Sequence, residues 1–219
     1  MKLWTGVLDL LFPPKCPFCQ KILEDPARLL CPSCQSSLPW LSGGAAERKV
    51  DFSDGCFSPL AYRDVVPEAI HRYKFSRIQA YGVPFGALLA QCVRENLDEL
   101  PDGLTWAPLS RSRLRERGFD QAELLARAAG KALSVPVFPT LCKAKHTKPQ
   151  SELGEAGERR ANALGAYTLL PGTDVQGKRL VLVDDVVTSG ATLSECARVL
   201  RQSGAARVWC AALAQARTN

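Results

Sequence analysis

The sequence predicts an α/β protein in which a parallel sheet is covered on both faces by helices and preceded by a small four-cysteine module. Three observations carry this expectation. From Asp54 onward, strand-like and helix-like segments alternate, the pattern of parallel strands joined by crossover helices. The stretch "RLVLV" (179–183) is apolar without a break after its first residue, as a strand buried on both faces should be. Ahead of that region, "CPFC" (16–19) and "CPSC" (31–34) form a doubled knuckle.

Bulk properties bound the function. A chain of 219 residues can build one full core with a small appended module. No apolar run approaches the length needed to span a bilayer. At the N-terminus Trp4, Val7, Leu8 and Leu11 share one helical face, while Thr5, Gly6 and Asp9 interrupt any secretory h-region. A short amphipathic helix ended by Pro13 and Pro14, in a cytoplasmic protein, is the expectation. The formal charge is +6. "RSRLRER" (111–117) holds four Arg and one Glu, and "KAKHTK" (143–148) holds three Lys. These segments together equal the whole excess, which argues for local anion sites rather than a basic coat.

Each C-P-x-C knuckle can direct two thiolates at one ion, so Cys16, Cys19, Cys31 and Cys34 make a four-thiolate set suited to structural zinc. With all four positions taken by cysteine, no place remains for a reactive water. Paired disulfides are the alternative, and a reducing compartment disfavours them. A Gly-rich stretch, "LSGGAAERKVD" (41–51), suggests a boundary, giving a zinc module over 1–50 and the main domain over 51–219.

The elements then follow in order. "CFSPLAY" (56–62) reads as a strand. "VPEAIHRYKF" (66–75) reads as a helix with Pro67 in its first turn, and 82–97 as a longer helix through Leu88, Leu89, Cys92 and Val93. "LTWAP" (104–108) is a strand. Asp120 and Glu123 stand at capping-box spacing before the stripe Ala122, Leu125, Ala126 and Ala129. "VPVF" (135–138) is a short strand, and 143–163 is polar enough to be a mobile functional loop. A strand, a helix ended by Gly204, and the strand "ARVWCAALA" (206–214) close the chain.

The chemistry concentrates in "RLVLVDDVVTSGATL" (179–193). Ligands of open parallel sheets bind beyond the carboxyl ends of the strands, where this reading places Asp184 and Asp185. The turn Thr188, Ser189, Gly190, Ala191 and Thr192 offers backbone N–H groups, hydroxyls and a helix N-terminus to an anion. Paired acids at that point accept hydroxyls, so a sugar phosphate with a vicinal diol suits both halves.

This stretch resembles the signature of type I phosphoribosyltransferases, which bind 5-phosphoribosyl 1-pyrophosphate. More narrowly, the four-cysteine module, "YKF" (73–75), "RERGFDQAELLA" (115–126), "TKPQSEL" (147–153), "RRANALGAY" (159–167) and the acidic signature occur in the order found in the ComF family, linked to natural DNA uptake. The chain differs in "WAPLSRSR", where that family has a Pro-Val-Pro strand end, and in "GFDQ" for Gly-Phe-Asn-Gln.

The resemblance implies a phosphoribosyltransferase-like fold and a set of roles. Asp184 and Asp185 would hold the ribose diol, and Thr188 to Thr192 the 5′-phosphate. Arg113, Arg115 and Arg117 would face pyrophosphate, with Mg²⁺ accompanying the substrate. Lys148 and Gln150 would sit on a loop closing over it, with Lys74 and Arg160 as further binding residues. The catalytic set would be Asp184, Asp185, Arg117 and Lys148. The reaction would transfer phosphoribose to an unidentified acceptor through an oxocarbenium-like transition state and release pyrophosphate. The alternative is a non-catalytic DNA-uptake factor whose knuckles and arginines contact single-stranded DNA alongside other competence proteins. A thiol-redox reading is weak, since neither knuckle precedes a βαβ pattern.

Overall fold

A computed structural model describes residues 13–76, 78–143 and 163–216. The expected N-terminal helix, Lys148, Gln150 and Arg160 lie outside the described residues. Among the described residues, no helix is long and apolar enough to cross a membrane.

The main sheet is built on two nine-residue strands, β7 (Arg179–Val187) and β8 (Arg207–Gln215), which run parallel. β4 (Gly103–Trp106) pairs with the far side of β7, while β2 (Cys56–Phe57) and β3 (Leu60–Ala61) both pair with β8, all parallel. β1 (Glu47–Arg48) joins β2 antiparallel, so the sheet is not wholly parallel as expected but carries an antiparallel edge. The segment expected as one strand over 56–62 is split in two, because Pro59 has no N–H to give the ladder. The expected strand over 135–138 shrinks to a single bridge between Leu104 and Val137, with Pro136 and Pro139 on either side. A separate antiparallel ribbon, β5 (Leu141–Lys143) with β6 (Tyr167–Leu169), was not anticipated.

Helices cover both faces, and β7 shows how. Alternate residues of a strand point to opposite sides. Val181 and Val183 pack into one cluster with residues of α2 (Val66–Phe75), α3 (Gly82–Asn96) and α5 (Gln121–Leu133). Leu180 and Leu182 pack into the other with Leu193, Cys196 and Leu200 of α6 (Ala191–Gln202). Asp120 caps α5 as its spacing predicts, accepting from Ala122 N and Glu123 N at 3.0 and 3.3 Å. Close approach of α3 to α5 depends on glycine: a Cβ on Gly86 would meet Ala128 Cβ at 2.3 Å.

The cysteine segment shares the first cluster. Phe18, Leu23, Leu30 and Leu38 are buried with Tyr73 and Phe85, and the Phe18 and Phe85 rings meet edge-on at 5.4 Å. Arg72 on α2 donates to the carbonyls of Phe18 (2.6 Å) and Pro17 (3.2 Å), and Tyr81 OH donates to Gln20 Oε1 at 2.8 Å. Cys31 caps the short helix α1 (Pro32–Ser37), its Sγ accepting from Cys34 N at 3.4 Å.

Candidate functional site

At the carboxyl ends of β4 and β7 lies a cavity of about 410 Å³. One wall comes from the segment after β4 (Ala107 to Ser110) and the helix it enters, α4 (Arg111–Arg117). The basic run expected to face pyrophosphate is a short helix. Its caps are legible: Ser110 Oγ accepts from Arg113 N at 3.4 Å, and Gly118 closes the last turn at φ 80°. Helical spacing sorts the arginines. Arg113 and Arg117, four apart, line the cavity, while Arg111 and Arg115 point away and are exposed. Arg115, expected to contact substrate, is thus placed outside the cavity, since a helix of this pitch cannot turn all four to one side.

The two acids also part company. β7 runs on to Val187, with Val186 and Val187 paired to Ala214 and Gln215. The acids therefore sit within the strand rather than at its end, and the pleat sends them to opposite faces. Asp185 points to the α2/α5 side. Its Oδ1 meets Lys74 Nζ at 2.8 Å and its Oδ2 accepts from Gln121 Nε2 at 2.8 Å. Gln121 in turn accepts from Arg117 Nη1 at 2.9 Å, and that guanidinium lies over the Phe75 ring, 4.9 Å from its centroid. Asp184 takes the other face, spends Oδ1 on the Asp185 amide at 2.8 Å, and keeps part of its surface open. Burial, and next the negative Asp185, push its carboxyl well above the ordinary carboxylate range.

The remaining wall belongs to the ribbon and the turn after β7. Lys143 lies 5.1 Å over the Tyr167 ring, and burial, reinforced by Arg113, lowers the pKa of its amine. The Tyr167 hydroxyl is in hydrogen-bond contact with Thr192, and burial raises its pKa. Thr188 and Thr192 open on the cavity. Between them Ser189, Gly190 and Ala191 form the bend, with Gly190 left-handed at φ 77° and its missing Cβ 3.3 Å from Val50. Ala191 N reaches Ser189 Oγ at 3.4 Å. Lys74, Arg113, Arg117 and Lys143 thus surround the two acids, an arrangement able to hold a multiply charged anion.

Gln121, Tyr167 and the aromatic rim of Tyr62, His71 and Phe75 were not singled out by sequence reasoning, and Lys143 entered it as the first residue of the basic run 143–148. Gln121 had a signal: it is a polar residue four before Leu125 on the buried stripe. Tyr167 had none, because its place depends on a ribbon whose strands are distant in sequence.

Away from the cavity, the Sγ atoms of Cys16, Cys19, Cys31 and Cys34 lie within 4.8 Å of one another. Tetrahedral thiolates at a Zn–S distance of about 2.3 Å stand roughly 3.8 Å apart, so the cluster fits a closed zinc site with little adjustment.

Comparison with known proteins agrees with both parts. Residues 7–47 match a double zinc ribbon domain and residues 117–219 a phosphoribosyl transferase domain. The chain is 34% identical over 204 residues to the DNA utilization protein YhgH of Salmonella typhimurium, covering 89% of this chain and 82% of the relative. It is 28% identical over 224 residues to competence protein F of Haemophilus influenzae, covering 92% and 97%. The chain belongs to the ComF family. The ComFC relative of Bacillus subtilis is 29% identical over 158 residues, which is 68% of this chain and 59% of the relative.

Solved phosphoribosyltransferase folds are more distant from this ComF-family chain. A glutamine phosphoribosylpyrophosphate amidotransferase of B. subtilis is 23% identical with a TM-score of 0.42, covering 60% of this chain and 26% of that one. An adenine phosphoribosyltransferase of Leishmania donovani is 17% identical with a TM-score of 0.40, covering 82% and 65%. At that distance they say nothing about substrate.

Proposed function

We propose that this ComF-family protein binds 5-phosphoribosyl 1-pyrophosphate with Mg²⁺ and transfers its phosphoribosyl group to an acceptor, releasing pyrophosphate. The observation that carries the reading is the cavity itself: four cations and a hydroxyl-lined, glycine-hinged bend converge on Asp184, the more open of the two cavity acids. The bend from Thr188 to Thr192 suits the 5-phosphate, with α6 directed away from it so that its N-terminus faces the anion. Arg113 and Arg117 suit the pyrophosphate, whose departure leaves charge that fixed guanidinium groups stabilise. Mg²⁺, when bound, neutralises part of that charge, and a single carboxylate with substrate oxygens is its usual manner of binding. Asp184 is the residue that would hold it.

No covalent nucleophile is needed, and the buried thiols away from the ribbon (Cys56, Cys92, Cys196, Cys210) are packed within the cores or beside the sheet. Lys148 and Gln150 are proposed to close over the substrate and Arg160 to add a phosphate contact. Thermal unfolding with saturating ligand and Mg²⁺ tests the reading. The melting temperature should rise, by an amount equivalent to about 3 kcal/mol at a hundredfold excess over Kd, and Asp184→Asn should abolish the rise. No shift in the native protein would exclude it.

A second reading has one observation behind it. Arg111 and Arg115 are exposed outside the cavity, and the relatives carry names tied to competence and DNA utilization. Single-stranded DNA binding through these arginines would fall steeply with salt and weaken in Arg111→Ala/Arg115→Ala. Binding that ignores salt would remove this alternative.

A further inference from the structure

The last turn of α2 reaches the cysteine cluster and the cavity at once. We propose that the two sites are coupled through it: an anion held in the cavity tightens the ribbon's hold on zinc, and Arg72 is the positioning residue that links them. This rests on the anion reading of the cavity given above. The effect is reciprocal by linkage, so zinc in the ribbon strengthens anion binding by the same factor.

Arg72 grips the first knuckle from outside. Its Nη2 donates to the carbonyls of Phe18 at 2.6 Å and Pro17 at 3.2 Å, the residues between Cys16 and Cys19. Those carbonyls are presented together because the two cysteines close the knuckle and Gln20, left-handed at φ 66°, turns the chain back, its N–H reaching Cys16 O at 3.0 Å. The Arg72 side chain is only 25% exposed, and its Nε is buried with no partner among the described residues. Its ion pair with Glu68 is long, at 3.7 Å, and Glu68 is 78% exposed, a weak hold. A knuckle that lost its shape would strip a largely buried guanidinium of its acceptors, a cost that displaces the helix turn carrying it.

The same turn serves the cavity on its other side. Residues two apart on a helix differ in direction by about 200°, so Lys74 points away from Arg72 and lies in the cavity wall, its Nζ 2.8 Å from Asp185 Oδ1. Phe75 lies under the Arg117 guanidinium, 4.9 Å from ring centroid to carbon. Between these contacts Tyr73, fully buried, donates from its hydroxyl to Gln121 O at 3.0 Å. Four consecutive residues thus hold the knuckle, the first residue of α5 and two cavity cations. The turn is either clasped to the knuckle or released from it, and both sites favour the clasped arrangement.

The test is equilibrium competition for zinc between the full chain and a chelator, in reducing buffer, with and without saturating phosphoribosyl pyrophosphate. Excess Mg²⁺ keeps the diphosphate from competing for zinc, and free zinc in the same mixtures supplies the correction. In the native protein the ligand should raise the apparent zinc affinity about fivefold or more. Arg72→Met keeps the apolar stem and removes the donors, so zinc should bind less tightly and the ligand should change its affinity by less than about twofold. Arg72→Lys keeps a charged donor and should give an intermediate ratio. General stabilisation of the fold by ligand would act on all three proteins alike, so equal ratios in the native protein and Arg72→Met would overturn the proposal. An unchanged native zinc affinity, where the ligand does raise the melting temperature, would overturn it too. Should Arg72→Met not fold, Arg72→Lys takes its place, and a ratio equal to the native one overturns the proposal. If the ligand gives neither a thermal shift nor a change in zinc affinity, the anion reading itself falls and the coupling falls with it.

Discussion

Asp120 Oδ2 accepts the backbone N–H of Leu109 at 2.8 Å, tying the cap of α5 to the segment that forms one wall of the cavity. Its other oxygen holds the amides of Ala122 and Glu123. Burial outweighs these bonds and raises the carboxyl from 3.8 to about 6. A carboxyl with a raised folded-state pKa binds its proton more tightly folded than unfolded, so its contribution is greatest below pH 4 and declines as pH rises to 6. Asp120→Asn should therefore lose less stability than the native chain between pH 4 and pH 6.5, by up to about 3 kcal/mol. Urea unfolding at the two pH values checks this, and parallel pH profiles would refute it.

The Lys74–Asp185 pair predicts a non-additive response. Lys74→Met strands a nearly buried carboxylate and should cost about 2–3 kcal/mol, below the range for fully buried pairs because Lys74 keeps 22% of its side-chain surface exposed. Lys74→Met/Asp185→Asn should recover much of that loss. Denaturation midpoints of the single and double variants measure the coupling.

Zinc should stabilise more than the ribbon. Phe18, Leu23, Leu30 and Leu38 share a core with α2 and α3, so freeing the four thiols exposes apolar surface on the main domain as well. Chelation, or Cys34→Ser, should lower the melting temperature by on the order of 10 °C, equivalent to a few kcal/mol in a chain of this size. Calorimetry should show one displaced transition. An unchanged main transition with only a new low-temperature shoulder would contradict the shared core.

Gly86→Ala should push α3 from α5, since the new methyl would sit 2.3 Å from Ala128 Cβ. Overpacking of this kind costs about 1–3 kcal/mol. Adding Ala128→Gly should return part of it, as read from urea midpoints.

Local pattern and tertiary arrangement divide cleanly in this protein. Period-2 and period-3.6 apolar repeats, caps such as Asp120, and the doubled C-P-x-C spacing are short-range signals. From them the sequence by itself determined the buried run 179–183, the last strand to within a residue at each end, the four long helices, the cysteine pairs and the glycine-bearing bend after Val187. Those features need only neighbours within a few residues. Which arginines of 111–117 reach the cavity was also open to sequence reasoning once Ser110 and Gly118 were read as helix caps. Their four-residue spacing would have selected Arg113 and Arg117.

Only the tertiary structure decided the rest. The ribbon of 141–143 with 167–169, the docking of Phe18 against Phe85, and the joining of Lys74, Gln121, Arg117 and Asp185 all join segments far apart in the chain. Two adjacent aspartates look equivalent when read as letters. A pleated backbone turns neighbouring side chains to opposite sides, and what waits on each side depends on which helix packs there.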